Sequence, residues 1–384
     1  MPADEEPRRA TNPLFNDNKL KLGLFGYNGN GPQMTAAAER FVINWPRAAD
    51  LARHADRMGL EAQVSFCVWR HPISGNADHL AHREFEPFTW CAAIGATAPS
   101  SAVVATFHAQ LTNPAFVAKA ATTIDHLTGG RVGLNIVAGN SRSAFDQFGQ
   151  EVEDPETRYA HAAEFLEILK RFWHADEEFD FDGRFHRVRK GISRPRPVQA
   201  PFPAIMNAGI SERGMRFATK YADLAFTLLG PDPASWEPQI QAYHRLAREE
   251  YGRAIQVWTH AYVVIAETER EAEGYVNSYA VERADHAWVK AWTAEITEHL
   301  PALRSEHLVA LQRNWAAGGG FPLVGTPDTI VALLERLSQC GLGGVLLTAL
   351  EPETMLARWD AEIMPRLEQA ELRKSRHAPP PPEG

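Results

Sequence analysis

Two apolar runs in this chain each carry one polar residue near the end: Thr106 in Ala102-Val-Val-Ala-Thr-Phe107 and Asn135 in Val132-Gly-Leu-Asn-Ile-Val137. Burying a hydroxyl or an amide without a hydrogen bond costs roughly 1–3 kcal/mol, so each needs a partner, either a ligand or a neighbouring strand. A second feature is Asn207-Ala-Gly-Ile-Ser-Glu-Arg-Gly214, which joins an apolar run to an amphipathic segment. Gly209 permits a tight turn there and Ser211 can cap a helix, whose free N–H groups and positive dipole end suit an anion. A plain N-cap with no ligand explains the same residues equally well. Asp154-Pro-Glu-Thr-Arg-Tyr159 marks another helix start. There Arg158 and Tyr159 offer a charge-assisted bond and a phenolic donor to the same anion, or else a surface charge and a packed ring.

Other groupings carry less. Gly26-Tyr-Asn-Gly-Asn-Gly31 has the glycines of a pyrophosphate-binding loop. A dinucleotide site needs its helix to begin inside the loop, whereas Pro32 and about a dozen further residues intervene here, so it reads as a substrate-side loop. His79, His82 and Glu84 could ligate a metal but lack the i, i+4 spacing of a helical site, and with 15 histidines in the chain chance clustering accounts for them. No metal is expected. Cys67, Cys91 and Cys340 are odd in number and include no CxxC, which indicates neither a disulfide framework nor a zinc site.

The elements that must hold these residues alternate regularly. Eight candidate strands lie at 21–27, 62–68, 102–107, 132–137, 204–207, 224–229, 257–265 and 344–348, each followed by a helical stretch. Helices begin near Pro46, Pro87, Pro114, Ser211, Trp236, Thr268, Thr326 and Pro352, several with proline in the first turn, where its missing N–H has no partner to lose. The clearest helical spacing is Tyr159, Ala162, Leu166, Leu169 and Trp173, with Thr157 as the expected N-cap. Eight βα units predict an α/β fold, a (β/α)8 TIM barrel, with the site at the C-terminal strand ends where Thr106 and Asn135 stand. Two insertions interrupt it: a hairpin at about 179–193, and a lid at about 285–322 carrying Trp288, Trp292 and Trp315 and hinged at Gly318 to Gly320. The barrel should span 19–370, with 1–18 and 371–384 unstructured.

The charge balance, 48 acidic against 39 basic residues for a net −9, argues against nucleic-acid binding. No apolar stretch approaches the roughly 18 to 20 residues of a membrane span, and the N-terminus lacks a secretory h-region, so a cytoplasmic protein is expected.

Four segments together carry a family likeness: 121–139 (Ala-Thr-Thr-Ile-Asp through Val-Ala-Gly), Arg158-Tyr159, Asn207-Ala-Gly-Ile-Ser211 and Leu323-Val-Gly-Thr-Pro327. They resemble the bacterial-luciferase-like flavin monooxygenases, within them the group of flavin-dependent pyrimidine and dimethylsulfone monooxygenases, over about residues 19 to 370. The resemblance implies noncovalent reduced FMN delivered by a separate NAD(P)H-dependent flavin reductase, O2 as co-substrate, a small organic substrate and a homo-oligomer, dimer or tetramer. It also implies that Cys67, Val68 and Asn135 touch the flavin, that Arg158, Tyr159 and Ser211, with Gly209 at the turn, hold its phosphate, and that Thr106 and Asn135 form the catalytic oxygen pocket. Substrate contacts would come from Trp69, Arg70, Asn140, His260 and Tyr262. Asn140 stands where the relatives carry Trp, Ala144 where they carry an acid, and His260 and Tyr262 roughly where alkanesulfonate monooxygenases carry Arg and His. Anionic substrates stay open, because Arg70 and Arg142 are nearby. Three alternatives stand beside this one: a deazaflavin-dependent oxidoreductase of the same fold, a noncatalytic flavin-binding relative and a metal-dependent barrel hydrolase.

Overall fold

The computed structural model describes residues 11–31, 34–73, 75–139, 141–230, 232–299 and 305–374. Its strands are β1 (Lys21–Phe25), β2 (Ala62–Val64), β3 (Ala102–His108), β4 (Val132–Val137), β5 (Phe179–Asp182), β6 (Arg187–Gly191), β7 (Ala204–Asn207), β8 (Leu224–Thr227), β9 (Gln256–Ile265), β10 (Phe321–Gly325) and β11 (Gly344–Thr348). In parallel order β9-β11-β1-β2-β3-β4-β7-β8, with β8 pairing back onto β9, eight of them close a barrel. This is the expected (β/α)8 architecture. Helices cover the outer faces, so the strands read as continuous apolar runs; every residue of β3 is buried. Inside, Ala62, Val64, Ala102, Val104, Met206 and Trp258 belong to one interior cluster.

Three boundaries differ from the sequence expectation. Residues 11–18 are not unstructured: Asn12 is fully buried and Leu14 joins the interior cluster. The Gln256 amide donates to the Leu14 carbonyl at 2.9 Å, which seats this segment across the N-terminal mouth of the barrel. Residues 371–374 are ordered too, because the Arg373 guanidinium meets the Glu61 carboxylate at 2.7 Å with both side chains almost fully buried. Residues 1–10 and 375–384 lie outside the described residues.

The third difference is β10. Phe321 and Pro322, expected in the lid, begin a ninth parallel strand on the part of β9 that runs past β8, on the edge opposite β11. It is an edge strand, where proline's missing N–H is tolerated. Among the described residues, the remainder of that insertion holds two helices, His286–His299 and Ser305–Ala317. The N-cap of the helix Pro155–His174 is Asp154 rather than Thr157; its carboxylate accepts the Glu156 and Thr157 N–H groups. The hairpin β5–β6 forms as expected, and its turn is held by Glu164, which accepts three successive N–H groups from Arg184, Phe185 and His186.

Candidate active site

Side chains alternate along a strand, so the interior position of Val104 puts Thr106 and then His108 on the barrel axis. Asn135 is in register with Thr106 on β3 and with Met206 on β7, and its Nδ2 donates to Thr106 Oγ1 at 3.1 Å. The Thr106 hydroxyl in turn donates to the Ser65 carbonyl. That leaves the Asn135 carbonyl oxygen buried with no protein partner. On β9, His260 lies two residues beyond the interior Trp258, four strands round the barrel from Thr106. Its Nε2 is likewise buried and unpartnered, and its ring centroid lies 4.8 Å from that of Phe25. Burial pushes the His260 pKa down to about 3, so the imidazole is neutral.

Cys67 and Val68 follow β2 in a loop rather than sitting on the strand. The Cys67 thiol, pushed up by burial, is 3.7 Å from His108 Nδ1, and burial lowers His108 to about 4. The Val68 N–H is taken by the Glu84 carboxylate at 3.2 Å, and the other Glu84 oxygen meets His71 Nε2 at 3.0 Å. Asn28 completes this shelf: fully buried, it accepts the Phe66 N–H and donates to the Phe66 and Phe85 carbonyls. The asparagine-glycine loop is thus a structural stitch between three segments. His79 pairs instead with Asp285 at 3.0 Å. Among the described residues no three His, Cys, Asp or Glu converge as a metal set.

A second group gathers beside β4 and β7. Ser211 caps the helix Glu212–Tyr221, its hydroxyl oxygen accepting the Gly214 N–H at 3.1 Å. Gly209 and Gly214 approach so closely that a Cβ on Gly209 would lie 2.6 Å from Gly214 Cα and 2.7 Å from the Tyr159 hydroxyl. Tyr159 therefore points at the turn that heads the helix. Arg158 donates to the Gly139 carbonyl, leaving a buried Nε without a partner, and desolvation lowers its pKa. The structure thus brings Gly209, Ser211 and Tyr159 together at one turn, with Arg158 next in sequence.

The expected substrate residues scatter around the mouth. Trp69 packs edge-on against Phe148 at 5.0 Å with a buried, unpartnered indole N–H, and the Arg70 carbonyl accepts from Ser143. Tyr262 belongs to a cluster with Trp288 from the helix His286–His299, apart from the barrel interior. Asn140 lies outside the described residues. Sequence reasoning missed His108, and weighed Glu84 only as a metal ligand beside His79 and His82 rather than as the partner of Val68 and His71. The first was legible from strand alternation beyond Thr106; nothing local marks the second as the partner of the 68–71 loop.

A family model described as luciferase-like monooxygenase matches residues 20–343. The chain belongs to that family. Among its luciferase-like relatives, the FMNH2-dependent dimethylsulfone monooxygenase of Pseudomonas putida is 27% identical over 332 residues, 84% of this chain and 87% of the relative. Pyrimidine monooxygenase RutA of Variovorax paradoxus (strain S110) is 28% identical over 342 residues, 86% of this chain and 89% of its own. Riboflavin lyase (RcaE), solved with modified FMN and riboflavin, superposes with a TM-score of 0.82 at 21% identity, covering 94% of both chains. An F420-dependent secondary alcohol dehydrogenase reaches 0.65 at 14% identity, covering 92% of this chain and 99% of its own. At such identities the two structures show a shared fold alone.

Proposed function

We propose that this chain is the oxygenase of a two-component system: it takes reduced FMN from an NAD(P)H-dependent flavin reductase and uses O2 to oxygenate a small organic molecule. The observation that carries this is the buried Asn135 carbonyl oxygen, unpartnered beside Thr106 at the mouth of a barrel whose relatives are named FMNH2-dependent and pyrimidine monooxygenases. The residues present fit FMN. The Gly209–Gly214 turn is a cradle that one methyl group would fill, it faces the Tyr159 hydroxyl, and the unpaired Arg158 Nε and the head of the helix after Ser211 suit a phosphate. Cys67 and the Val68 side chain would flank the ring system, since the Val68 N–H is already used.

Bound reduced FMN supplies the two electrons that activate O2. This chain's residues orient and dry the site. Thr106 fixes the Asn135 carboxamide from the adjacent strand, Phe25 and Phe226 keep the floor apolar, and Trp69, Arg70 and His260 would shape the substrate side.

A second copy would cover the face carrying Phe116 and Leu127, which are 59% and 57% exposed. This agrees with a homo-oligomer, dimer or tetramer. No described helix is long and apolar enough to cross a membrane, and we place the enzyme with its reductase in the cytoplasm.

The test compares wild type with Thr106→Ala and Asn135→Ala, using a flavin reductase, NADH and a compound panel. Product per NADH should fall on the order of a hundredfold while hydrogen peroxide accumulates. Wild-type coupling in both variants removes these residues from the role. Turnover with a deazaflavin but not with FMN replaces the oxygenase reading by the oxidoreductase one.

A further inference from the structure

The floor formed by Phe25, Phe226 and the neutral His260 carries no charged side chain. His260 is 4% exposed, its Nε2 has no hydrogen-bond partner among the described residues, and its ring rests on Phe25, which packs 5.4 Å from Phe226. A polar atom this deep needs a ligand partner, because leaving it unpaired costs roughly 1–3 kcal/mol. Two cations of the chain are engaged away from this floor: Arg158 is bound to the Gly139 carbonyl, and Arg313 is paired with Glu273 at 2.8 Å. Burial also holds the His260 pKa near 3, so the imidazole supplies no positive charge at neutral pH.

A carboxylate, sulfonate or phosphate placed here would exchange water for aromatic carbon and a neutral ring. Burying an ion unpaired costs several kcal/mol. A neutral polar group satisfies the His260 nitrogen without that penalty.

We propose that the substrate of this chain is an uncharged molecule whose polar group hydrogen-bonds His260 Nε2 and whose apolar remainder lies on Phe25 and Phe226. The inference rests on the oxygenase reading for the fate of that molecule, though not for its binding.

The test is calorimetric binding of matched neutral and anionic pairs to the full chain, with and without oxidised FMN: dimethyl sulfone against methanesulfonate, uracil against orotate, and benzamide against benzoate. The neutral members that bind should do so at least about tenfold tighter than their anions, a low bound for one unpaired buried charge. His260→Leu should weaken them by about tenfold, and His260→Arg should move the preference toward the anions. If the Arg variant does not fold, the wild-type and Leu comparisons decide. Anions bound as tightly as their neutral partners, no neutral member bound, or undiminished neutral binding in His260→Leu would each overturn the proposal. Flavin fluorescence titration of the same samples separates the two readings: if FMN does not bind, the oxygenase assignment fails while the charge comparison still stands.

Discussion

A single methyl group at position 209 should cripple the phosphate cradle. The new Cβ of Gly209→Ala would sit 2.6 Å from Gly214 Cα, 2.7 Å from the Tyr159 hydroxyl and 2.9 Å from Asn207 Oδ1, where ordinary contact begins at 3.4 Å. By difference the Tyr159 hydroxyl must retreat about 0.7 Å and the helix head about 0.8 Å, and neither can do so by rotating a loose side chain. A hydrogen bond to a charged group contributes roughly 1.5–3 kcal/mol, so losing the Tyr159 bond alone weakens FMN by about 10- to 150-fold. Flavin fluorescence titration measures this directly, with circular dichroism melting to confirm that the variant is folded. Gly274→Ala is the control. Nothing lies within 4 Å of that position in the helix Glu269–Asn277, and alanine there should leave FMN affinity unchanged while adding about 0.4–1 kcal/mol of stability. A folded Gly209→Ala protein with the wild-type dissociation constant would refute the cradle.

Two further outcomes concern stability. Arg373→Ala leaves the Glu61 carboxylate buried with the Leu22 N–H and two asparagine amides but no cation, and should cost about 3–5 kcal/mol in urea unfolding; a loss below about 0.5 kcal/mol would show the C-terminal segment to be dispensable. His108 titrates near 6.5 when unfolded and near 4 when folded, so between those values the unfolded chain binds more protons and stability falls as pH drops through that window. The loss should approach about 3 kcal/mol by pH 4. His108→Asn should flatten that part of the curve, and an unchanged slope would mean that His108 is not buried neutral.

The barrel was legible because parallel strands covered on both faces leave apolar runs of the right length, and because prolines mark helix starts at 46, 87, 114 and 352. The ends were not. Asn12 and Arg373 read as polar tails because their partners, Gln199 and Glu61, are 187 and 312 residues away in sequence. Strand β10 escaped for a related reason: Phe321–Gly325 pairs with the stretch of β9 that overhangs β8, a property of another segment's length.

The long motif that most clearly carries the family likeness divides by depth. Asp125 accepts both the Val198 and Gln199 N–H groups and the Gln199 side chain, and Gln199 holds the buried Asn12. Arg131, 9% exposed, donates to the carbonyls of Thr128, Ala98 and Ser101, and Gly129 ends the helix Pro114–Thr128 in the left-handed region at φ 64°. These residues all serve the N-terminal end of the barrel. At the mouth end the motif contributes Asn135, four residues on from Arg131, and Gly139, whose carbonyl holds Arg158. The specificity of the motif therefore comes largely from closing the base of the barrel. That is why it reveals the fold so clearly and the substrate so little, since the rim residues come from loops whose partners are set by tertiary contacts such as Glu84 with Val68.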